Sequence, residues 1–132
     1  MLIELKINTK LKEELIDITD MVLDKVKESG VKSGVMVLFV PHTTAAILIN
    51  ENADPMVRKD VIEYYKRIVP SDYKYFHLEG NADAHIKSTL IGNSLTLIIE
   101  DSRVILGSWQ GIFFCEFDGP RSRKIYIKII QG

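Results

Sequence analysis

Residues 42–55 read HTTAAILINENADP and carry the clearest structural signal in the chain. Ala45 to Ile49 form a run without a polar side chain, which predicts a strand covered on both faces. Asp54-Pro55 predicts the start of a helix, with Asp54 as N-cap and Pro55 in the first turn. The polar side chains at both ends of the strand are therefore expected at the rim of the core, where a ligand can reach them.

Strand and helix patterns flank this stretch on both sides. Residues 3–7 and 35–40 have strand patterns, and a helix beginning near Thr19 and ending at Gly30 lies between them. Leu11 to Ile18 fits neither period well. After residues 42–55, the patterns predict a helix ended by Pro70 and a second helix from Asn81 to Gly92, with Ile86 and Leu90 facing the core. Strands are predicted over 94–100, 103–106, 109–118 and 124–130.

The helices lie in the first two thirds of the chain, and strands without intervening helices close it. This segregation predicts an α+β fold with a mixed, largely antiparallel sheet or sandwich and two to three helices. The 132 residues are expected to form one domain, residues 1–132. Some strands lack a polar face, so a second subunit is one way to cover them.

Composition excludes several classes of partner and site. The net charge is −1, from 17 basic and 18 acidic residues, so no nucleic-acid partner is expected. No apolar run approaches the roughly 20 residues that cross a bilayer, so no membrane partner is expected either. With no secretory signal visible, the predicted location is the cytoplasm. A single cysteine, Cys115, excludes an intramolecular disulfide.

The three histidines could form a metal site. His42 lies at a strand end, His77 in a loop and His85 in the first turns of a helix. Three neutral imidazoles that leave a fourth coordination position open are one way to form a catalytic zinc site. A helix N-terminus favours the neutral form of His85. The alternative is three unrelated surface or capping histidines, because this spacing is no recognised ligand pattern. A divalent metal, zinc or magnesium, is therefore the only cofactor expected, and no organic cofactor is.

A second group of residues is suited to anionic ligands. Asn81 and the free N–H groups at the start of its helix form a natural phosphate seat. Further donors of the same kind are Thr43, Thr44, Lys87, Arg121 and Arg123. The alternative is that the basic side chains are ordinary solvated surface charges.

The strand over 109–118 combines apolar and acidic positions. Period two places Gln110, Glu116 and Asp118 on one face and Cys115 with the aromatic residues on the other. Carboxylates on such a strand are costly unless they are paired or hydrated. Glu116 and Asp118 therefore either bind metal or act as acid and base, or they pair with Arg121 or Arg123. Cys115 is expected to be a small core residue.

Three motifs follow one another in a specific order: HTTAAILINENADP, GNADAHIKSTLIG and LGSWQGIFFCEFDGPRSR. In order and spacing they resemble the YjbQ-like family over essentially the whole chain. The resemblance implies α+β subunits that form homotrimers, with the polar motif residues in a cleft near the subunit boundary. It also implies a metal held by histidines and a secondary thiamine-phosphate synthase activity. The positions that match the family motifs are His42, Glu51, Asn81, His85, Trp109, Gln110 and Arg121.

Three functions are compatible with these observations. The first is an enzyme that acts on a phosphorylated small molecule: a pyrimidine diphosphate loses pyrophosphate and a thiazole phosphate attacks the carbon centre. Cations near the pyrophosphate would come from a metal, Lys87, Arg121 and the helix start, and Trp109 would stack on a ring. The second is a zinc hydrolase with Glu51 or Glu116 as base. The third is a non-catalytic trimeric ligand-binding protein.

Overall fold

The computed structural model describes residues 2–132. Within that range the chain forms eight strands and three helices, in the order β1 Leu2–Asn8, β2 Glu14–Asp17, α1 Thr19–Ser29, β3 Gly34–Phe39, β4 Ala45–Glu51, α2 Pro55–Ile68, α3 Ala82–Ile91, β5 Ser94–Glu100, β6 Arg103–Val104, β7 Gln110–Glu116 and β8 Ser122–Gln131. His77 lies in a loop, as predicted, and this loop spans residues 71–80. None of these helices is both long and apolar enough to cross a membrane.

The strands form two sheets. The larger sheet has the order β1-β8-β3-β5-β6, and the smaller has the order β2-β7-β4. Every strand pair among the described residues is antiparallel. The α+β fold predicted from the segregation of helices and strands is therefore confirmed.

The stretch over 42–55 adopts the predicted structure. Residues 45–51 form β4, and its first three residues are fully buried between the two layers that flank it. The Asp54 carboxylate accepts a hydrogen bond from the Met56 amide at 2.9 Å, and Pro55 is the first residue of α2. The N-cap and helix start predicted at Asp54-Pro55 are confirmed, since the cap satisfies a backbone donor that has no partner within the helix.

The main core lies between the two sheets. Met36, Ile99 and Ile127 of the larger sheet face Ile47 and Phe114 of the smaller one, and α1 closes the side of this layer. A second, smaller apolar cluster lies on the other face of the small sheet, beneath α2 and α3. Its buried members are Leu15, Ala46, Ala84, Phe113, Cys115 and Phe117. The small sheet is thus covered on both faces, which explains the nearly continuous apolar sequence of β7.

Helix α3 packs with a different face from the one predicted. Ile86 and Leu90 are 38% and 56% exposed, whereas Asp83 and Lys87 are buried. The prediction that Ile86 and Leu90 face the core is therefore wrong. Asp83 and Lys87 pair with each other, and Lys87 also pairs with Glu13, so the buried charges are compensated.

Three further segments complete the description. Leu11 to Ile18, which fitted no period, contains the four-residue strand β2, paired with β7. Gly30 ends α1 with a φ of 70°, a left-handed conformation that glycine adopts without strain. Asp101 and Ser102 form the hairpin turn between β5 and β6, both with positive φ, as a tight two-residue turn requires.

Candidate functional site

His42 and His85 line one open pocket of about 420 Å³, called here the histidine pocket. It lies between the β3–β4 connection, which carries His42, and α3, which carries His85. Its polar lining comes from His42, Thr43, His85, Ser88, Thr89 and Asn93. The fold therefore brings together an imidazole from the first motif and an imidazole from the second.

The ring of His42 is held in one orientation. Its Nε2 accepts a hydrogen bond from the backbone amide of Lys124 at 3.0 Å. A ring nitrogen that accepts carries no proton, so neutral His42 has its N–H on Nδ1. Burial lowers the pKa of His42, and the positive charge of Arg123 lowers it further. His42 is therefore a neutral hydrogen-bond donor at Nδ1.

His85 also contacts the third histidine. The ring centroids of His77 and His85 are 5.2 Å apart in an edge-on arrangement. Both rings line a shallow recess of about 350 Å³ together with Tyr75 and Phe76. His77 Nε2 lies 3.9 Å from Glu79 Oε1. His85 thus stands between the histidine pocket on one side and the 71–80 loop on the other.

The arrangement of the histidines within the chain does not fit a zinc site. Among residues 2–132, no three His, Cys, Asp or Glu side chains are grouped so that they could hold a metal ion. His42 Nε2 already accepts a backbone hydrogen bond, which leaves only its protonated nitrogen for other contacts. The divalent metal expected from the sequence stays a prediction.

Glu116 forms a buried ion pair beneath the histidine pocket. Its carboxylate is 0% exposed and accepts hydrogen bonds from Arg123 Nε at 2.8 Å and Thr9 Oγ1 at 2.7 Å. Burial by itself raises the pKa of Glu116, but hydrogen bonds from Arg123, the Asp118 amide and Thr9 outweigh it and hold the pKa below its usual value. Of the two roles predicted for Glu116, the structure shows the pairing with Arg123.

Arg123 connects this pair to the first motif. Its Nη2 donates to Thr44 Oγ1 at 2.9 Å. The Thr44 hydroxyl is buried in this contact, whereas Thr43 is exposed and lines the histidine pocket. Of the two predicted hydroxyl donors, Thr43 alone faces the pocket.

Asn81 and Arg121 meet at Asp118. Asn81 Nδ2 donates to Asp118 Oδ2 at 2.8 Å, and Arg121 Nη2 donates to the same oxygen at 2.9 Å. Burial raises the pKa of Asp118, yet the hydrogen bonds from Asn81 and Arg121 outweigh it and lower the pKa overall. The Asn81 side chain makes no cap hydrogen bond. At the helix start where a phosphate site was expected, the Asn81 side chain is therefore already hydrogen-bonded to the Asp118 carboxylate.

Lys87 lies away from the histidine pocket. It is 1% exposed, and its Nζ lies 2.6 Å from Glu13 Oε1 and 3.1 Å from Asp83 Oδ2. It lines a separate pocket with Glu13. The structure does not bring Lys87 together with His42 and His85.

Glu51, Trp109 and Gln110 also lie elsewhere. The antiparallel register pairs Ala45 with Glu116 at one end of β4 and Glu51 with Gln110 at the other. At a strand rise of about 3.3 Å per residue, these ends are roughly 20 Å apart. Trp109 precedes Gln110, and its carbonyl accepts a hydrogen bond from the Asn52 amide at 3.0 Å, so it lies at the same end as Glu51, where its side chain is 64% exposed. Within the chain the motif residues therefore form two groups at opposite ends of the small sheet.

Sequence reasoning missed three residues of the histidine pocket: Ser88, Thr89 and Asn93. Ser88 and Thr89 follow His85 by three and four positions, a spacing that places side chains on one helix face. This spacing could have identified both residues as neighbours of His85. Their hydroxyls donate to the carbonyls of Ala84 and His85. The two oxygens consequently offer lone pairs to a ligand.

Comparisons with known proteins identify the family. The family described as UPF0047 protein YjbQ-like matches residues 3–132. A UPF0047 protein of Methanocaldococcus jannaschii is 55% identical over 130 residues, which cover 98% of this chain and 94% of that protein. The UPF0047 protein YugU of Bacillus subtilis is 49% identical over 131 residues, covering 98% of this chain and 99% of that protein.

Solved structures of the same family are similar to this chain over nearly its whole length. A crystal structure of an uncharacterized conserved protein of the YjbQ/UPF0047 family from Clostridium acetobutylicum matches with a TM-score of 0.94 and 51% identity, covering 97% of this chain and 99% of that one. A YbjQ-like protein of unknown function from Sulfolobus solfataricus matches with a TM-score of 0.96 and 32% identity, covering 100% and 97%. The chain therefore belongs to the UPF0047 protein YjbQ-like family.

Proposed function

We propose that this protein is an enzyme that acts on a phosphorylated small molecule in the histidine pocket. The observation that supports this most is the convergence of His42, Thr43 and His85 in one open pocket of about 420 Å³. The reaction we propose is the one implied by the family resemblance, a thiamine-phosphate-synthase-like transfer. In it, the bond from the pyrimidine methylene carbon to the diphosphate oxygen breaks, and the thiazole nitrogen forms a new bond to that carbon.

The orientation of His42 suits the departing group. Negative charge develops on the diphosphate oxygen as the carbon–oxygen bond breaks, and a fixed donor aimed at such an oxygen stabilises the transition state. His42 offers Nδ1–H for this purpose, because its Nε2 is occupied by the Lys124 amide. Its lowered pKa favours the neutral ring, whose one N–H is on Nδ1 because Nε2 accepts from the Lys124 amide. His42 would therefore act as a donor rather than as a base.

One subunit does not supply all the charge that a diphosphate needs. None of the side chains that line the histidine pocket is an ammonium or a guanidinium. We propose that a homotrimer completes the site, with Trp109, Gln110 and Glu51 of one copy reaching the histidine pocket of the next. Val35, Ile98 and Ile130 support association, because they are register neighbours on the outer face of the larger sheet and all three are exposed.

The activity test is formation of thiamine phosphate from the pyrimidine diphosphate and the thiazole phosphate by purified protein. His42→Ala and His85→Ala should each lower the rate about a hundredfold or more, the loss expected when a transition-state donor is removed. His77→Ala is the matched control, because His77 does not line the histidine pocket. Absence of product above background with the wild-type protein would contradict the proposed reaction.

The shared site has its own test. His85→Ala and Trp109→Ala subunits are each expected to be inactive alone. When the two are mixed into one trimer, about a quarter of the interfaces combine an intact His85 with an intact Trp109, so activity should return to about a quarter of wild type. No recovery in the mixture would show that each site lies within one chain. Sedimentation equilibrium would check the trimer directly.

The other two functions are separated by the same experiments. The zinc hydrolase is not favoured, because His42, His77 and His85 do not form a metal-binding cluster within one subunit; it predicts equal losses for all three alanine variants and zinc on elemental analysis. The non-catalytic ligand-binding protein predicts saturable binding without turnover. The cytoplasmic location also stays a prediction, which fractionation of expressing cells would check.

A further inference from the structure

A second pocket lies on another side of α3, between that helix, the end of α2 and the segment before β2. It has a volume of about 390 Å³ and is called here the lysine pocket. Its lining residues are Leu11, Lys12, Glu13, Lys66, Ser71 and Lys87. It shares no lining residue with the histidine pocket.

The floor of the lysine pocket contains a buried acceptor without a donor. Glu13 Oε1 lies 2.6 Å from the buried Nζ of Lys87, which also contacts Asp83 at 3.1 Å. The Glu13 side chain is only 9% exposed, and its Oε2 is buried and accepts no hydrogen bond among the described residues. Lys66 Nζ lies 4.0 Å from Oε2, which is beyond hydrogen-bond distance. A buried carboxylate oxygen in this state points to a donor supplied by a ligand, because burial without a partner is unfavourable.

The rim has the opposite polarity. Lys12 and Lys66 bring ammonium groups to the pocket, and Ser71 brings a hydroxyl. Lys66 also lies 3.6 Å from Glu63. Lys66 is thus shared between Glu13 and Glu63, and Lys87 is paired with Glu13 and Asp83, whereas Lys12 has no ion-pair partner among the described residues. A pocket with a buried acceptor at its floor and lysine side chains at its rim matches a ligand that carries both a cationic donor and an anionic group.

We propose that the lysine pocket binds a small zwitterion with one ammonium and one anionic group, the chemistry of an amino acid. The ammonium donates to Glu13 Oε2, where it completes the hydrogen bonding of the buried carboxylate. The anionic group lies at the rim, among Lys12, Lys66 and Ser71. This inference does not depend on the reaction proposed for the histidine pocket.

The test is calorimetric titration of the full chain with β-alanine, beside propionate and propylamine, which each carry one of its two charges. β-Alanine should bind saturably and more tightly than either. Glu13→Gln and Lys66→Met should each weaken it about tenfold, the loss expected for one charge-assisted hydrogen bond. Lys59→Met, an exposed lysine on the same helix, and His42→Gln should leave the affinity unchanged.

Three results would overturn the proposal. The first is no saturable binding of β-alanine, which would leave Lys66 as a simple ion-pair partner of Glu13. The second is propionate binding as tightly as β-alanine with Glu13→Gln unaffected, which would indicate a plain anion site. The third is loss of β-alanine binding in His42→Gln alone, which would move the ligand to the histidine pocket. If Glu13→Gln does not fold, the comparison of Lys66→Met with Lys59→Met decides between these outcomes.

Discussion

Replacement of Glu116 by Gln is expected to destabilise the protein strongly. The side chain keeps its shape but loses its charge, so the guanidinium of Arg123 remains buried without a counter-charge. Removing one partner of a buried ion pair typically costs about 3–5 kcal/mol. The hydrogen bonds from Thr9 and the Asp118 amide also end at this carboxylate, at 2.7 Å and 3.0 Å. The expected loss of unfolding free energy is therefore at least about 3 kcal/mol.

Urea denaturation followed by circular dichroism at pH 7 and fixed protein concentration measures this loss. Glu100→Gln is the matched control, because Glu100 is exposed at the end of β5, and its effect should stay within about 0.5 kcal/mol. Glu116→Gln combined with Arg123→Met should recover part of the loss, since no charge then remains unpaired. A loss below about 1 kcal/mol for Glu116→Gln would refute a stabilising buried pair.

Three further changes test other parts of the structure. Gly111→Ala should lower the unfolding free energy by about 1–3 kcal/mol, because a Cβ there would lie 2.7 Å from the Cβ of Asn52; thermal unfolding measures it. Lys87→Met should cost about 3–5 kcal/mol in urea unfolding by leaving two buried carboxylates unpaired. The pKa of His42 is lowered in the folded protein, so as the pH drops this side chain is protonated in the unfolded chain before it is protonated in the folded one. The unfolding free energy of the wild type should therefore fall as the pH drops from about 7 to 5, and His42→Gln should make this fall smaller.

The parts of the fold that local sequence determines could be predicted. The start of α2 depends on Asp54 and Pro55, which act on backbone groups two residues away, so the prediction needed no distant contact. The end of α1 depends in the same way on Gly30. Strand β2 could not be predicted, because its four residues are held by pairing with β7 about a hundred residues later. Such pairing leaves little trace in a short sequence pattern.

The site was predictable in its residues and not in its geometry. The motifs contain His42, Thr43 and His85, and the fold brings these three together. Period-two reasoning placed Glu116 on the correct face and named Arg123 as a possible partner, which the 2.8 Å contact confirms. Nothing in the sequence indicated that Glu51 and Trp109 lie at the far end of the small sheet, because that depends on the register between β4 and β7.

Hydrophobicity alone led to the wrong prediction of which face of helix α3 packs against the core. Side chains three or four positions apart share a stripe of a helix, so α3 carries three stripes. His85 and Thr89 face the histidine pocket, Asp83 and Lys87 point inward to Glu13, and Ile86 and Leu90 are exposed. The charged stripe is inside because Glu13, which is remote in sequence, completes an ion-pair network around Lys87 that makes its burial tolerable. Two polar stripes therefore line two pockets, and the apolar stripe of Ile86 and Leu90 is left on the surface.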